Sequence, residues 1–318
     1  MLIETNPLLD DEVQELLEEL PCKPYSQCPG ILPLAQARYA FRSLQAAQQS
    51  GATLYVAREG GRTRALLQTE SLEWDSQVLG FSVARISRWI GWPDGASSLP
   101  YRAELLRTVI ANLHRRGIRY LLARVPATDV PGAQLLEENH FQLVDGLLTF
   151  GTSPQPVSEP VNSNGFRCGA FQADDLAALK KIAAGFSLDR FHADPVTKER
   201  ADRVHQKWIE DSCAGAADCV LVARNGGPAG FTTLKLDRLS QEVLGIRIGT
   251  IVLVATAPTE RRKGVARMLT RAALDWFRSR ECSWVEVGTQ VANLPAAHVY
   301  QSAGFVLTGS SMTFRLLL

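Results

Sequence analysis

Residues 250–273 read TIVLVATAPTERRKGVARMLTRAA, and they hold the densest chemistry of the chain. Arg261, Arg262, Lys263 and Arg267 surround Gly264, Val265 and Ala266. Four cations around a glycine and a small residue suit a phosphorylated ligand. Glycine lets the backbone approach closely, and the first N–H groups of a helix accept anions. The elements that would position this loop are legible around it. Residues 251–254 are a β-branched apolar run, which is strand-like. Ala257, Pro258 and Thr259 break the strand. Val265, Met268, Leu269, Ala272 and Trp276 then recur at helical spacing. The loop is not a phosphate-binding loop of the G-x-x-x-x-G-K-[ST] type, and G-x-G-x-x-G is absent.

Composition narrows the class. With 318 residues the chain is long enough for two domains. Its 46% hydrophobic and 21% charged content describes a globular chain rather than a disordered one. A formal net charge of +1 argues against nucleic acid as partner but permits a local basic site. No secretion signal or membrane-length apolar run is visible, so a cytoplasmic protein without a membrane partner is expected. The six cysteines contain no C-x-x-C and are expected to be reduced; the Cys22/Cys28 and Cys213/Cys219 spacings leave a disulfide or metal pair open. The five histidines form no H-E-x-x-H or other dense cluster, so no metal is expected.

Residues 1–50 read as mainly helical. Strands are expected at 52–57 and 64–70, a turn at 72–81, a strand at 82–89, a helix from Pro100 to near Gly117 and a strand at 120–125. A short helix at 133–138 and a strand at 141–150 close this half. Residues 151–165, GTSPQPVSEPVNSNG, mark the clearest boundary. The second half expects a strand at 166–170, helices to 184 and at 197–212, and a hairpin across Asn225-Gly226-Gly227. A central strand at 247–254, the helix after the loop, a strand at 284–287, a helix at 295–302 and a final strand follow. The two halves echo each other. VPGAQLLEENHF at 130–141 parallels LPAAHVYQSAGF at 294–305, and each precedes a strand ending in Thr-Phe. Two copies of one α/β unit are therefore expected, the first degenerate: it has Leu136 where the second has Tyr300, and Asp94-Gly95-Ala96-Ser97-Ser98 where the second has its basic loop.

Arg261-x-x-Gly264-x-Ala266 resembles the cofactor loop of the GCN5-related N-acetyltransferases (GNAT), R/Q-x-x-G-x-G/A. The resemblance covers 166–318 closely and 50–150 weakly. Leu72-x-Trp74-Asp75-Ser76-x-x-x-Gly80-Phe81, Ser187-x-x-x-Phe191-x-x-Asp194, Trp208-Ile209 and Thr289-Gln290-x-x-Asn293-x-x-Ala296-x-x-x-Tyr300-x-x-x-Gly304-Phe305 resemble the TDP-fucosamine acetyltransferases within that family. The fold class this implies is α/β: tandem GNAT-like folds, each a mixed central sheet flanked by helices, with the N-terminal copy degenerate. The expected division is a helical extension at 1–50, a degenerate domain at 51–150, a linker at 151–165 and a catalytic domain at 166–318.

The resemblance implies acetyl-CoA as cosubstrate. The loop residues Arg261 to Arg267 would hold its pyrophosphate. Splayed strands through Val254, Ala255 and Thr256 and through 284–288 would clamp its arm, and Asn293 would contact that arm. An N–H near Ala255 would polarise the thioester carbonyl, and Tyr300 resembles the family's general acid. Glu286 shares a strand face with Trp284 and Gly288 and is the candidate base; a water relay is the alternative. His298 is expected to be structural. Trp74, Arg190 and Phe191 are candidates for the acceptor. The implied acceptor is a primary amine, foremost that of a TDP-linked amino-deoxy sugar. Another small-molecule or protein amine, or a non-catalytic CoA-binding module, are the alternatives. A homodimer is left open.

Overall fold

The computed structural model describes residues 1–20, 23–93, 95–156 and 165–318. Cys22, Asp94 and the 157–164 part of the expected linker lie outside them. The first half runs β1 (Leu2–Thr5), α1 (Asp11–Glu18), α2 (Pro33–Gln49), β2 (Thr53–Glu59), β3 (Arg62–Ser71), α3 (Glu73–Leu79), β4 (Val83–Gly91), α4 (Leu99–Arg115), β5 (Tyr120–Pro126), α5 (Val130–Glu138) and β6 (Gln142–Thr152). The second runs β7 (Arg167–Ala170), α6 (Leu176–Ala183), the single turn α7 (Arg190–Ala193), α8 (Ala201–Asp211), β8 (Cys219–Arg224), β9 (Pro228–Asp237), α9 (Arg238–Leu244), β10 (Arg247–Thr256), α10 (Val265–Ser279), β11 (Cys282–Gln290), α11 (Leu294–Ser302) and β12 (Val306–Leu317). With α7 set aside, the two series are the same, so the repeat read from the sequence is a repeat of structure.

The chain divides into two compact units, residues 1–146 with 310–318, and residues 147–309. In the first the strand order is β1-β2-β3-β4-β5-β12, with only β4 and β5 parallel. Strand β2 explains why its sequence is apolar without alternation. Leu54 and Val56 pack against Val13, Leu17, Phe41 and Leu44 of α1 and α2, while Tyr55 and Ala57 pack against Leu105, Leu106 and Val109 of α4. A strand covered on both faces has no solvent side to mark with polar residues.

In the second unit the order is β6-β11-β10-β9-β8-β7, with only β10 and β11 parallel. Val220 and Val222 face α6 and α8, and Leu221 and Ala223 face α10. Helix α10 buries Val265, Leu269, Ala273, Leu274 and Phe277. Met268, Ala272 and Trp276 are only partly buried, so the buried stripe is rotated from the expected one. Burying a ring such as Phe277 contributes about 1.5–3 kcal/mol. The hairpin at Asn225 forms as expected, with Arg224 opposite Pro228 and the Asn225 N–H donating to the Gly227 carbonyl at 3.0 Å.

Several expectations are corrected. Residues 1–50 are no appended extension: β1 pairs with β2, and α1 and α2 cover the first unit's sheet. The unit boundary does not fall in 151–165. Residues 147–152 are already strand within the second unit, while 311–317 pair with β5 in the first. The expected turn at 72–81 contains α3, closed by Gly80 in the left-handed region, and α9 was not anticipated. Cys168, Cys213, Cys219 and Cys282 are free thiols. No helix among the described residues is long and apolar enough to cross a membrane.

Candidate active site

Two neighbouring strands of the second unit part company at the site. β10 and β11 pair in parallel from Arg247 with Cys282 to Ile251 with Val287. Beyond that, residues 253–256 pair only with β9, after an irregularity between Ile251 and Leu253, and residues 288–290 pair only with β6. A fork opens between them. The Ala257 N–H donates to the Ala229 carbonyl at 2.8 Å. Backbone direction alternates along a strand, so Ala255 also faces β9, and the N–H groups of Val254 and Thr256 point into the fork. The donor expected near Ala255 is therefore that of its neighbours.

After β10, Gly264 takes the left-handed conformation (φ 88°, ψ 0°) and caps α10. No side-chain cap is made, so the N–H groups of Val265, Ala266 and Arg267 lack intrahelical acceptors. Val265 itself is buried, and its side chain anchors the loop. The four cations divide. Arg261 donates from Nη2 to the Gly185 carbonyl at 3.1 Å, and Lys263 pairs with Glu260 at 3.1 Å. Arg262 and Arg267 are exposed and make no ion pair among the described residues. This is a helix N-terminus suited to a diphosphate, and its donors fit the pyrophosphate of acetyl-CoA.

Glu286 lies on β11 beside the fork, opposite Thr250 on β10 and Gly151 on β6. It is half-buried and accepts from Trp284 Nε1 at 3.3 Å. Burial, with the negative charge of Asp237 second, pushes its carboxyl above the ordinary range; the Trp284 bond opposes this. Gly151 has a steric reason to be glycine: a β-carbon there would collide with the Trp284 ring.

Tyr300, on α11, is 5% exposed and packs against Phe150 and Phe305 at ring distances of 6.0 and 5.9 Å. Its hydroxyl makes no hydrogen bond among the described residues. Burial pushes its pKa up, which keeps the phenol a proton donor at neutral pH. Asn293 caps α11 by accepting from the Ala296 N–H at 3.3 Å, which leaves its amide N–H₂ for a ligand. His298 is exposed.

On the other side of the sheet stands α7. Arg190 stacks over the Phe191 ring at 4.0 Å, and Phe191 is 3% exposed, a packing residue more than a ligand contact. Trp74 is half-buried on α3 of the first unit. Sequence reasoning missed a cluster here. Asp189 Oδ2 lies 2.6 Å from His192 Nδ1 and 3.8 Å from His205 Nε2. The three were passed over because His205 sits on α8, away in the chain from Asp189 and His192 at α7. The signature residue Asp194 is buried and orders the next turn, accepting from the Val196 N–H at 2.9 Å.

The acetyltransferase (GNAT) family model matches residues 183–305, which carry the fork, the loop and Tyr300. Streptothricin acetyltransferase of Streptomyces lavendulae is 31% identical over 44% of this chain and 74% of its own length. The spore coat polysaccharide biosynthesis protein SpsD of Bacillus subtilis is 23% identical over 78% of this chain and 82% of its own. The dTDP-fucosamine acetyltransferase of Escherichia coli is 25% identical over 57% and 75%. Among solved structures, a GCN5-related N-acetyltransferase from Sphaerobacter thermophilus superposes with a TM-score of 0.63 at 16% identity, covering 99% of this chain and 95% of that one. A tandem GNAT protein from the clavulanic acid biosynthesis pathway gives 0.52 at 16%, covering 99% and 98%. The chain belongs to the GNAT family. It is an acetyl-CoA-dependent N-acetyltransferase.

Proposed function

We propose that the enzyme acetylates the primary amine of a nucleotide-linked amino-deoxy sugar. The observation that carries the acetyl-transfer half is the fork between β10 and β11, with the Gly264-capped start of α10 following β10 in the chain. The acceptor half is supported by the names of two relatives, one a dTDP-fucosamine acetyltransferase and one a polysaccharide biosynthesis protein.

Acetyl-CoA supplies the thioester carbonyl. The N–H groups of residues 265–267, with Arg262 and Arg267, hold its pyrophosphate. The Val254 N–H stabilises negative charge on the carbonyl oxygen as the amine attacks. Glu286, with its raised pKa, takes the proton of the incoming ammonium directly or through water. Tyr300 gives its proton to the departing sulfur. The groups for proton removal and proton donation thus come from β11 and α11 of one unit. The first unit, with Leu136 at the matched position and no basic loop, serves as a degenerate copy.

The test is thiol release from acetyl-CoA with a panel of amines. Turnover confined to TDP-amino sugars supports the reading. Turnover on streptothricin-like, aminoglycoside, polyamine or peptide amines, and none on sugar nucleotides, overturns the acceptor assignment while leaving the transferase intact.

A further inference from the structure

The geometry points to a divalent-cation site of the Zn²⁺ type formed by Asp189, His192 and His205, binding α7 to α8. One ligand atom from each residue lies within 4.8 Å of the other two, and Asp189 Oδ2 stands 2.6 Å from His192 Nδ1 and 3.8 Å from His205 Nε2. The remaining polar atoms of these residues are already engaged, and in the sense that metal ligation requires. His205 Nδ1 bonds to the Ala201 carbonyl at 2.9 Å, which makes it the protonated nitrogen and leaves the Nε2 lone pair facing Asp189. That ring is nine-tenths buried, and its Nε2 stands 3.8 Å from Asp189 Oδ2, beyond hydrogen-bond reach. His192 Nε2 lies 3.2 Å from Asp202 Oδ1, so its Nδ1 is the nitrogen available to a cation. Asp189 Oδ1 accepts from the Phe191 and His192 N–H groups at 2.8 and 3.2 Å, which aims Oδ2 at the cluster. A ligating histidine commonly donates its other N–H to a carbonyl or carboxylate, and both rings place their other nitrogen against one here.

Phe186 stacks on His205 at 4.5 Å and fixes the ring plane. On binding, the 2.6 Å contact widens and the 3.8 Å contact closes. Two imidazoles and one carboxylate suit Zn²⁺ at about 2.0–2.2 Å per bond, with a fourth position for water. The cation would hold Asp189 and the α7 turn against α8, beside Arg190.

The experiment is calorimetric titration of the chelator-stripped full chain with Zn²⁺, repeated with Co²⁺ and read by visible absorption. One equivalent is expected, with a tetrahedral Co²⁺ spectrum lacking a thiolate charge-transfer band. Asp202→Asn should weaken binding by about 10–100-fold, and His192→Gln by more. Shifts of two imidazole resonances in the unmodified chain should accompany saturation, which keeps the test independent of how the variants fold. Absence of saturable binding, a thiolate band, unchanged affinity in both variants, or unmoved histidine resonances would each overturn the proposal.

Discussion

Trp284 and Glu286 stand two residues apart on the same face of β11, and the indole Nε1 donates to the carboxyl at 3.3 Å. This bond favours the ionised carboxylate, yet burial and Asp237 outweigh it and leave the pKa raised. A base so placed should give kcat/KM an ascending limb with pH, centred above the ordinary carboxylate value. Glu286→Gln should remove that limb and lower kcat by about 10²–10⁴-fold. A profile identical to wild type would assign the proton to a water relay.

The same shift makes a stability statement. A carboxyl whose pKa is higher folded than unfolded stabilises the fold while protonated, and the contribution is lost as pH rises through the folded pKa. At neutral pH, therefore, ionised Glu286 costs stability. Glu286→Gln should melt above wild type at pH 7, with the difference shrinking toward acid. Melting curves across pH check this; a variant melting below wild type at pH 7 would contradict it.

Tyr300 offers a separation of packing from chemistry. The repeat places Leu136, fully buried, at its matched position, so this short helix folds without a hydroxyl. Tyr300→Phe keeps the ring against Phe150 and Phe305 and should leave the melting temperature and CoA affinity unchanged. Its kcat should fall by about 10²–10⁴-fold, less with a donor whose leaving group is less basic. Wild-type kcat would exclude the phenol as acid. Early melting with weak CoA binding would return it to packing.

Gly249 and Phe277 test the core. A β-carbon on Gly249 would collide with the Phe277 ring, which is fully buried. Gly249→Ala should destabilise by about 1–3 kcal/mol. Gly309→Ala, where a β-carbon meets nothing within 4 Å, should change stability by less than about 0.5 kcal/mol. Denaturant midpoints compare them; equal midpoints would contradict the packing argument.

The strand, loop and helix around Gly264 were legible because their determinants are local: a strand, a break, Gly264 and an amphipathic helix follow one another in the chain. The repeat was legible for the same reason, as 130–141 and 294–305 keep their residue types. What was not legible depends on distant partners. Nothing in the composition of 310–318 says that it pairs with β5, and the Pro/Ser-rich stretch at 151–165 is not the point where contacts divide. The sequence places an N–H near Ala255 at the carbonyl without saying which one; the alternation set by Ala257 and Ala229 aims those of Val254 and Thr256 into the fork. The Asp189, His192 and His205 cluster needed α7 folded back on α8, which spacing alone does not give. The α9 helix is short, and its Asp237 cap, accepting from the Leu239 N–H at 3.0 Å, resembled a strand end.

The central claim is that the Gly264 turn of the second unit holds the cofactor. The direct measurement is calorimetric titration with CoA of wild type, Gly264→Glu, Gly264→Ala and Ser97→Glu, each with a melting curve. Gly264 has φ +88°, and a β-carbon there meets nothing within 4 Å, so Gly264→Ala carries backbone strain alone, about 1–2 kcal/mol. Gly264→Glu adds a negative side chain where the proposed site would hold the diphosphate. The account predicts one CoA site per chain, retained in Gly264→Ala and Ser97→Glu and lost in folded Gly264→Glu. CoA binding undiminished in Gly264→Glu, or lost in Ser97→Glu, would contradict it.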